Sequence, residues 1–254
     1  MIISSLYTEL IYRPLFNLLV AIYNVVGQDV GAAIVLLTVL VRLALYKVNG
    51  KAIKGQRELQ ELQPEIREIQ RKYKDDQQKQ AQKLMEAYQK HKINPFSGCL
   101  PLLIQFPIII ALYHTFLNGF RDESLGALYP FIPNPGHLNT VSFGGVVDLA
   151  VSNIFLAMLV SVLQFYQTKT LMARMGKKKE DGDKGGGEMS QEEKMQEFAQ
   201  SLSKNMMYTM PVITFFFAMN LPSGLALYWS VSTLFAIVQQ YLIMRKRKEK
   251  QEQG

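Results

Sequence analysis

The residue types that most often carry chemistry are sparse in this chain. Cys99 is the only cysteine, which excludes an intrachain disulfide framework and a cysteine-based zinc site. The three histidines, His91, His114 and His137, match no metal-ligand spacing, so no metal or other cofactor is expected. Gly185-Gly186-Gly187 is no phosphate loop, because no strand precedes it and no Gly-Lys-Ser/Thr follows. The informative residue is Arg42, set within Val35-Leu36-Leu37-Thr38-Val39-Leu40-Val41-Arg42-Leu43-Ala44-Leu45. Arginine cannot discharge itself, since its pKa exceeds ~12, and placing it in hydrocarbon costs between ~2.5 and ~17 kcal/mol by different methods. It should face water, a partner or both; the plainer alternative is a long side chain reaching to the headgroups.

Other apolar blocks offer polar positions to match. At helical spacing Thr38, Arg42, Tyr46 and Asn49 share a face, and Gln105 lies between Pro101 and Pro107. Asn153, Ser161, Gln164 and Thr168 line one face of a third block; Trp229, Ser232 or Thr233, and Gln240 line another. Each alone reads as an ordinary interhelical hydrogen-bonding position. Together with an uncompensated charge they describe a polar, water-filled cavity. The blocks hold no carboxylate apart from Asp148 at an edge, so the missing anion is expected from a passing substrate.

These positions need elements to hold them. The chain has 254 residues and 48% hydrophobic content, and its mean hydropathy of +0.03 would suit a soluble protein. The charges, however, lie almost entirely between apolar blocks. Five blocks approach the ~20 apolar residues a membrane helix needs. The sequence therefore predicts an all-α polytopic membrane protein with spans at 29–48, 95–118, 149–168, 205–220 and 221–244, the last opening with a turn at Leu221-Pro222-Ser223-Gly224. Of the 28 Lys and Arg, 12 fall in 47–94, 8 in 169–204 and 5 in 245–254, which makes that side the cytoplasm. The N-terminus and the loop 119–148 are then outside, the C-terminus inside, and the host bilayer is the cell membrane. Topology accounts for the net charge of +7 without nucleic acid. Arg42 falls roughly 4.5 Å inward of the first span's centre.

Residues 1–28 mix apolar and aromatic residues with Glu9, Arg13 and Asn17, which predicts an amphipathic helix in the outer interface. A signal peptide would need a charged start and a small-residue cleavage site. In the segment 49–94, Leu59, Leu62, Ile66, Ile69 and Tyr73 alternate spacings of 3 and 4, then Ala81, Leu84 and Tyr88 follow a polar turn. That is the seam of an antiparallel coiled-coil hairpin, either a solvated spacer or an arm on which partners dock. Pro64 should bend or offset its first arm. The segment 169–204 reads as a flexible linker. The tail 245–254, with Arg245-Lys246-Arg247-Lys248, fits anionic lipid, or ribosomal RNA as the sharper alternative.

Two ordered strings carry a resemblance. Asn94-Pro95-Phe96-Ser97-Gly98-Cys99-Leu100-Pro101-Leu102-Leu103-Ile104-Gln105-Phe106-Pro107-Ile108 and Leu221-Pro222-Ser223-Gly224-Leu225-Ala226-Leu227-Tyr228-Trp229 are similar to segments of the YidC-type membrane protein insertases. The arginine of the first span, the hairpin after it, Met210-Pro211 and Gln239-Gln240 fall in the same order. The resemblance covers the chain from about residue 10. It implies a five-helix core around a groove open to the cytoplasm and sideways to lipid, closed outside, and no enzymatic activity. It also implies nascent membrane proteins as clients, with the Sec translocon, the signal recognition particle pathway and the ribosome as possible partners. Arg42, Gln105 and Trp229 match groove positions. The chain departs from the family at Thr233, where Asn usually follows Ser, and it resembles the short form that lacks a large extracytoplasmic domain. A small transporter binding anionic solutes at Arg42 is the rival reading, weakened by the lack of an inverted repeat and of titratable coupling residues. An intramembrane protease would need Ser with His, or two Asp, in facing spans.

Overall fold

A computed structural model describes residues 6–74, 76–94, 100–118, 122–172 and 208–252. The expected linker 169–204 lies almost wholly outside the described residues, as does Cys99. The chain is mostly helical. A π-helical turn at Thr8–Tyr12 leads into α1 (Arg13–Val25), whose first turn accommodates Pro14 because no amide donor is needed there. Helix α2 (Val30–Ala44) starts at Asp29, whose Oδ1 accepts from the Ala32 amide at 2.9 Å. The chain then turns by 67° at Leu45 into α3 (Tyr46–Lys72), which runs on through Pro64. Asp76 caps α4 (Gln77–Lys90) in the same way as Asp29 caps α2. After α5 (Leu100–Asn118) come a 3-10 turn (Asp122–Ala127) and a two-stranded antiparallel hairpin, β1 (Val141–Ser142) with β2 (Val147–Asp148). Helices α6 (Ile154–Met172), α7 (Tyr208–Met219) and α8 (Ser223–Glu252) complete the chain.

The break at Leu45 corrects the expected first span. What the apolar run presents as one helix over 29–48 is a 15-residue helix ending at Ala44, followed by a second helix in a new direction. Tyr46 and Asn49 therefore leave the face of Thr38 and Arg42, and Arg42 sits in the last turn of α2. It is five residues past the helix midpoint, roughly 7.5 Å at ~1.5 Å per residue, and so nearer the helix end than the expected span implies. Among the described residues, Ser223–Arg245 is long and apolar enough to cross a membrane, and the bent pair α2 and α3 would count as a second such span.

Helix α8 is the centre of the packing. On one side Leu225 and Tyr228 join a core built from Phe16, Leu19, Val20 and Tyr23 of α1, Ile34 and Leu37 of α2, and Leu112 of α5. On the other, Ala226 meets Ala157 and Val160 of α6 and Ala218 of α7, small side chains that let the helices approach closely. Helix α1 thus buries one face in the main core, while its Leu18 and Val25 remain exposed, as does Leu10 in the turn before it.

The loop after α5 closes one end of this bundle. Asn17 of α1 donates from Nδ2 to the Ala127 carbonyl at 3.1 Å and accepts from the Tyr129 amide at 2.6 Å. Ser142 Oγ accepts from the Gly31 amide at 2.9 Å, and Asp29 Oδ2 accepts from the Phe143 amide at 2.6 Å. At the start of α8, the Ser223 and Gly224 amides donate to the Val151 and Leu149 carbonyls. Leu125, Leu138 and Leu149 of this loop are buried in the main core.

Helices α3 and α4 form two packed antiparallel arms. Gln80 Nε2 donates to the Gln70 carbonyl near the turn, and Glu65 meets His91 Nε2 at 2.7 Å and Lys90 Nζ at 3.6 Å near the base. Leu62 and Ile66 are buried between the arms, and Leu59 and Ile69 are half-buried. On the second arm the spacing misplaces one contact: Ala81 is exposed, and Ala87 is the buried residue.

Candidate functional site

The last turn of α2 faces Gln105 of α5 and one face of α8. Arg42 Nε donates to Ser232 Oγ at 2.7 Å, and a terminal guanidinium nitrogen donates to Gln105 Oε1 at 3.1 Å. Gln105 Nε2 in turn donates to the Tyr228 hydroxyl at 2.7 Å. Tyr228 and Ser232 stand four residues apart on α8, hence one above the other on a single face. Three helices are thus tied by one polar chain through the apolar bundle.

Both acceptors of Arg42 are neutral. Among the described residues, no carboxylate lies within ion-pair distance of its guanidinium. A guanidinium carries five N–H donors, and these two bonds engage two of them. Arg42 is half-buried, so the rest of its fork can meet water or an arriving anion. The N-terminal end of α2, by contrast, is shut by the Asp29, Gly31 and Ser142 contacts. The polar chain therefore sits in a bundle closed at one end, near the end where α3 departs.

The remaining sequence-derived positions divide. Thr38 is buried but spends its hydroxyl on the Ile34 carbonyl at 2.6 Å, within its own helix. Ser161 does the same with the Ala157 carbonyl at 2.8 Å and, like Gln164, is half-buried on α6. Trp229 lies on the next face of α8 from Tyr228, edge-on to Phe217 of α7 with ring centroids 6.4 Å apart. Thr233 is buried one turn farther along. So Arg42, Gln105 and Ser232 come together, while Thr38, Ser161, Gln164, Trp229 and Thr233 stand outside their hydrogen-bonded chain. Leu62 and Ile66 are buried on the first arm of the hairpin. The backbone of Arg245 through Lys248 continues helix α8. Sequence reasoning passed over Tyr228 as a site residue; its offset of four from Ser232 is the signal that would have found it.

Residues 21–251 match the model of the family described as 60Kd inner membrane protein. The chain belongs to that family. Within it, a membrane protein insertase YidC of Fusobacterium nucleatum is 31% identical over 239 residues, covering 93% of this chain and 98% of the relative. A membrane protein insertase YidC of Clostridium perfringens is 33% identical, with 96% and 97% covered. The insertase MisCA of Bacillus subtilis is 29% identical, with 98% and 84% covered. The YidC of Nitratidesulfovibrio vulgaris, 33% identical, is longer, and this chain spans 39% of it. As a member of the 60Kd inner membrane protein family, the chain is a membrane protein of the insertase class, and its matched region contains the whole polar chain from Arg42 to Tyr228.

Proposed function

We propose that the protein receives nascent membrane proteins in a polar groove around Arg42 and passes their apolar segments sideways into lipid, alone or beside the Sec translocon. The observation that carries this reading is a half-buried arginine whose acceptors among the described residues are neutral, set in an apolar bundle closed at one end. A polar or acidic tail cannot cross hydrocarbon unaided. A wet groove part-way through shortens the dry path, and the Arg42 charge gives carboxylates an attractive stopping point. Meanwhile the apolar segment gains roughly 25 cal/mol per Å² on entering lipid, which drives insertion without a nucleotide.

Five spans are part of the proposal. Helices α5 and α6 have 19 residues each, roughly 28 Å of helix against a hydrocarbon core of ~30 Å. Helix α7 is shorter and joins α8 through a tight turn at Asn220–Pro222. The basic excess of 47–94, 169–204 and 245–254 sets those segments in the cytoplasm, with the β-hairpin loop outside. Membrane insertion by the protein reconstituted in liposomes tests the reading. Small single-span substrates should become protease-protected, and radiolabelled anions alone should not accumulate. Anion uptake without insertion would replace the insertase reading by that of a solute transporter.

A further inference from the structure

The loop between α5 and α6 differs from the other long connections in its charge. Residues 124–147 contain no Asp, Glu, Lys or Arg, whereas 47–94 hold 12 Lys and Arg. The same stretch leaves large apolar side chains uncovered. Phe131 is 79% exposed, and Val146, after the left-handed Gly144 and Gly145, is 77% exposed; Val141, Phe143 and Val151 are exposed as well. The backbone that carries them is hydrogen-bonded. Val141 and Ser142 pair with Asp148 and Val147 in the β-hairpin. The Val141 amide donates to Asn139 Oδ1 at 3.0 Å, the Leu149 amide to the Thr140 carbonyl at 2.9 Å, and the Phe143 amide to Asp29. Asn24 of α1 donates from Nδ2 to the Pro133 carbonyl at 2.8 Å, which fixes the segment after Phe131. Phe131 itself stacks on Tyr129 with ring centroids 5.4 Å apart.

Backbone groups already paired within the protein lose little on leaving water, so a loop of this kind can enter a membrane interface. Aromatic rings favour that boundary. The exposed apolar residues also continue along the chain into α6, through Val151 to Phe155 at 73% exposure and Val162, side chains that face hydrocarbon in the five-span reading. A lipid surface covers both stretches with one occupant.

We propose that the loop between α5 and α6 is a lipid-binding element, in which Phe131 and the β-hairpin tip from Val141 to Val146 enter the outer leaflet. Without Lys or Arg, the stretch engages acyl chains and not headgroup phosphates, so its immersion is independent of anionic lipid. The loop grips Asp29 and Gly31 at the start of α2, and Arg42 follows Asp29 by 13 residues, roughly 20 Å of helix. Immersion thus fixes the depth at which the Arg42 charge lies. The assignment to the outer leaflet rests on the five-span reading; the immersion stands on the loop itself.

Collision accessibility by electron paramagnetic resonance, on the full chain in phosphatidylcholine proteoliposomes, tests the immersion. In a Cys99→Ser background, single nitroxides at Phe131→Cys and Val146→Cys are compared with Lys72→Cys in water and Val162→Cys in the span. Molecular oxygen concentrates in hydrocarbon and a nickel chelate in water. Both loop sites should show an oxygen-to-nickel ratio several-fold above that at Lys72→Cys, and adding phosphatidylglycerol should leave it unchanged. If the label at Val146→Cys lowers the thermal transition, Val141→Cys is read by the same criteria. A ratio equal to that at Lys72→Cys would overturn the immersion. So would low access to both reagents, the mark of a protein surface, with spin–spin broadening then identifying a second copy. An impermeant maleimide on intact cells, with Asn134→Cys, reads the side independently. Reaction from outside together with a water-like ratio removes the immersion and leaves the five spans standing. Reaction only after the cells are opened removes the outer-leaflet assignment together with the five-span reading.

Discussion

Replacing Arg42 by alanine removes one positive charge and two hydrogen bonds, and the two losses are separable. A unit charge 4 Å from a carboxylate contributes about 4 kcal/mol at an effective dielectric of about 20 and about 1 kcal/mol in water. Arg42 is half-buried, so its attraction for an acidic tail falls between these limits. At 1.36 kcal/mol per tenfold, Arg42→Ala should slow insertion of an acidic-tailed substrate by about fivefold to a thousandfold. Structurally, Gln105 keeps its bond to Tyr228, and Ser232 Oγ loses its donor, at a cost of about 1 kcal/mol. Neutral-tailed substrates should therefore lose little. Arg42→Lys keeps the charge but not the planar fork and should retain much of the acidic-tail activity. Arg42→Glu should be worst for acidic tails and helpful for basic ones. Protease protection in proteoliposomes, using tails that differ only in net charge, measures this directly. Equal loss across the set, or loss that tracks detergent stability instead of tail charge, would refute the electrostatic reasoning.

The hairpin, its base and the loop after α5 give further tests. Leu62→Ala should weaken arm pairing by about 2–3 kcal/mol while the bundle's thermal transition stays in place; a matching fall in that transition would make the hairpin part of the main core. The His91 hydrogen bond, with Lys90 beside it, holds the Glu65 carboxyl below its ordinary value of ~4.3. A lowered folded value stabilises above the unfolded one and is lost as pH falls through the folded one. Arm pairing followed by energy transfer should thus loosen below about pH 4, and Glu65→Gln should remove that acid limb. A Cβ on Gly31 would meet Phe143 Cε2 at 2.6 Å and Ser142 Cβ at 2.9 Å, so Gly31→Val should lift the β-hairpin and expose a cysteine placed at Leu149 to labelling. Unchanged protection of that cysteine would show that the loop does not close the bundle as described.

The sequence made the helical character and the arginine legible because both rest on local composition: apolar blocks, segregated charge, and one cation inside a block. The capping roles of Asp29 and Asp76 are local too, yet they emerge only from the structure, where each side chain accepts from the amide three residues on. The break at Leu45 was hidden because neither proline nor glycine marks it; its holding contact comes from Gln239, 193 residues away in sequence. Separation in sequence also concealed the closure of one end of the bundle, where Ser142 and Phe143 meet Gly31 and Asp29 across more than 100 residues. Periodicity found Leu62 and Ile66 but placed Ala81 for Ala87, since the register of the second arm is set by partners across the hairpin. Helical spacing also grouped Thr38 and Ser161 with the site, yet each hydroxyl had an acceptor one turn back in its own helix, a competitor always within reach.

The central claim is that client segments occupy the space beside Arg42. Photocrosslinking from Gln105, Leu234 and Tyr166 to a ribosome-stalled nascent membrane protein tests it most directly. The account predicts that Gln105 captures the polar tail of short chains and that an Arg42→Ala background diminishes capture of acidic tails but not neutral ones. Capture confined to the exposed positions Leu234 and Tyr166, with none from Gln105 at any chain length, would contradict it.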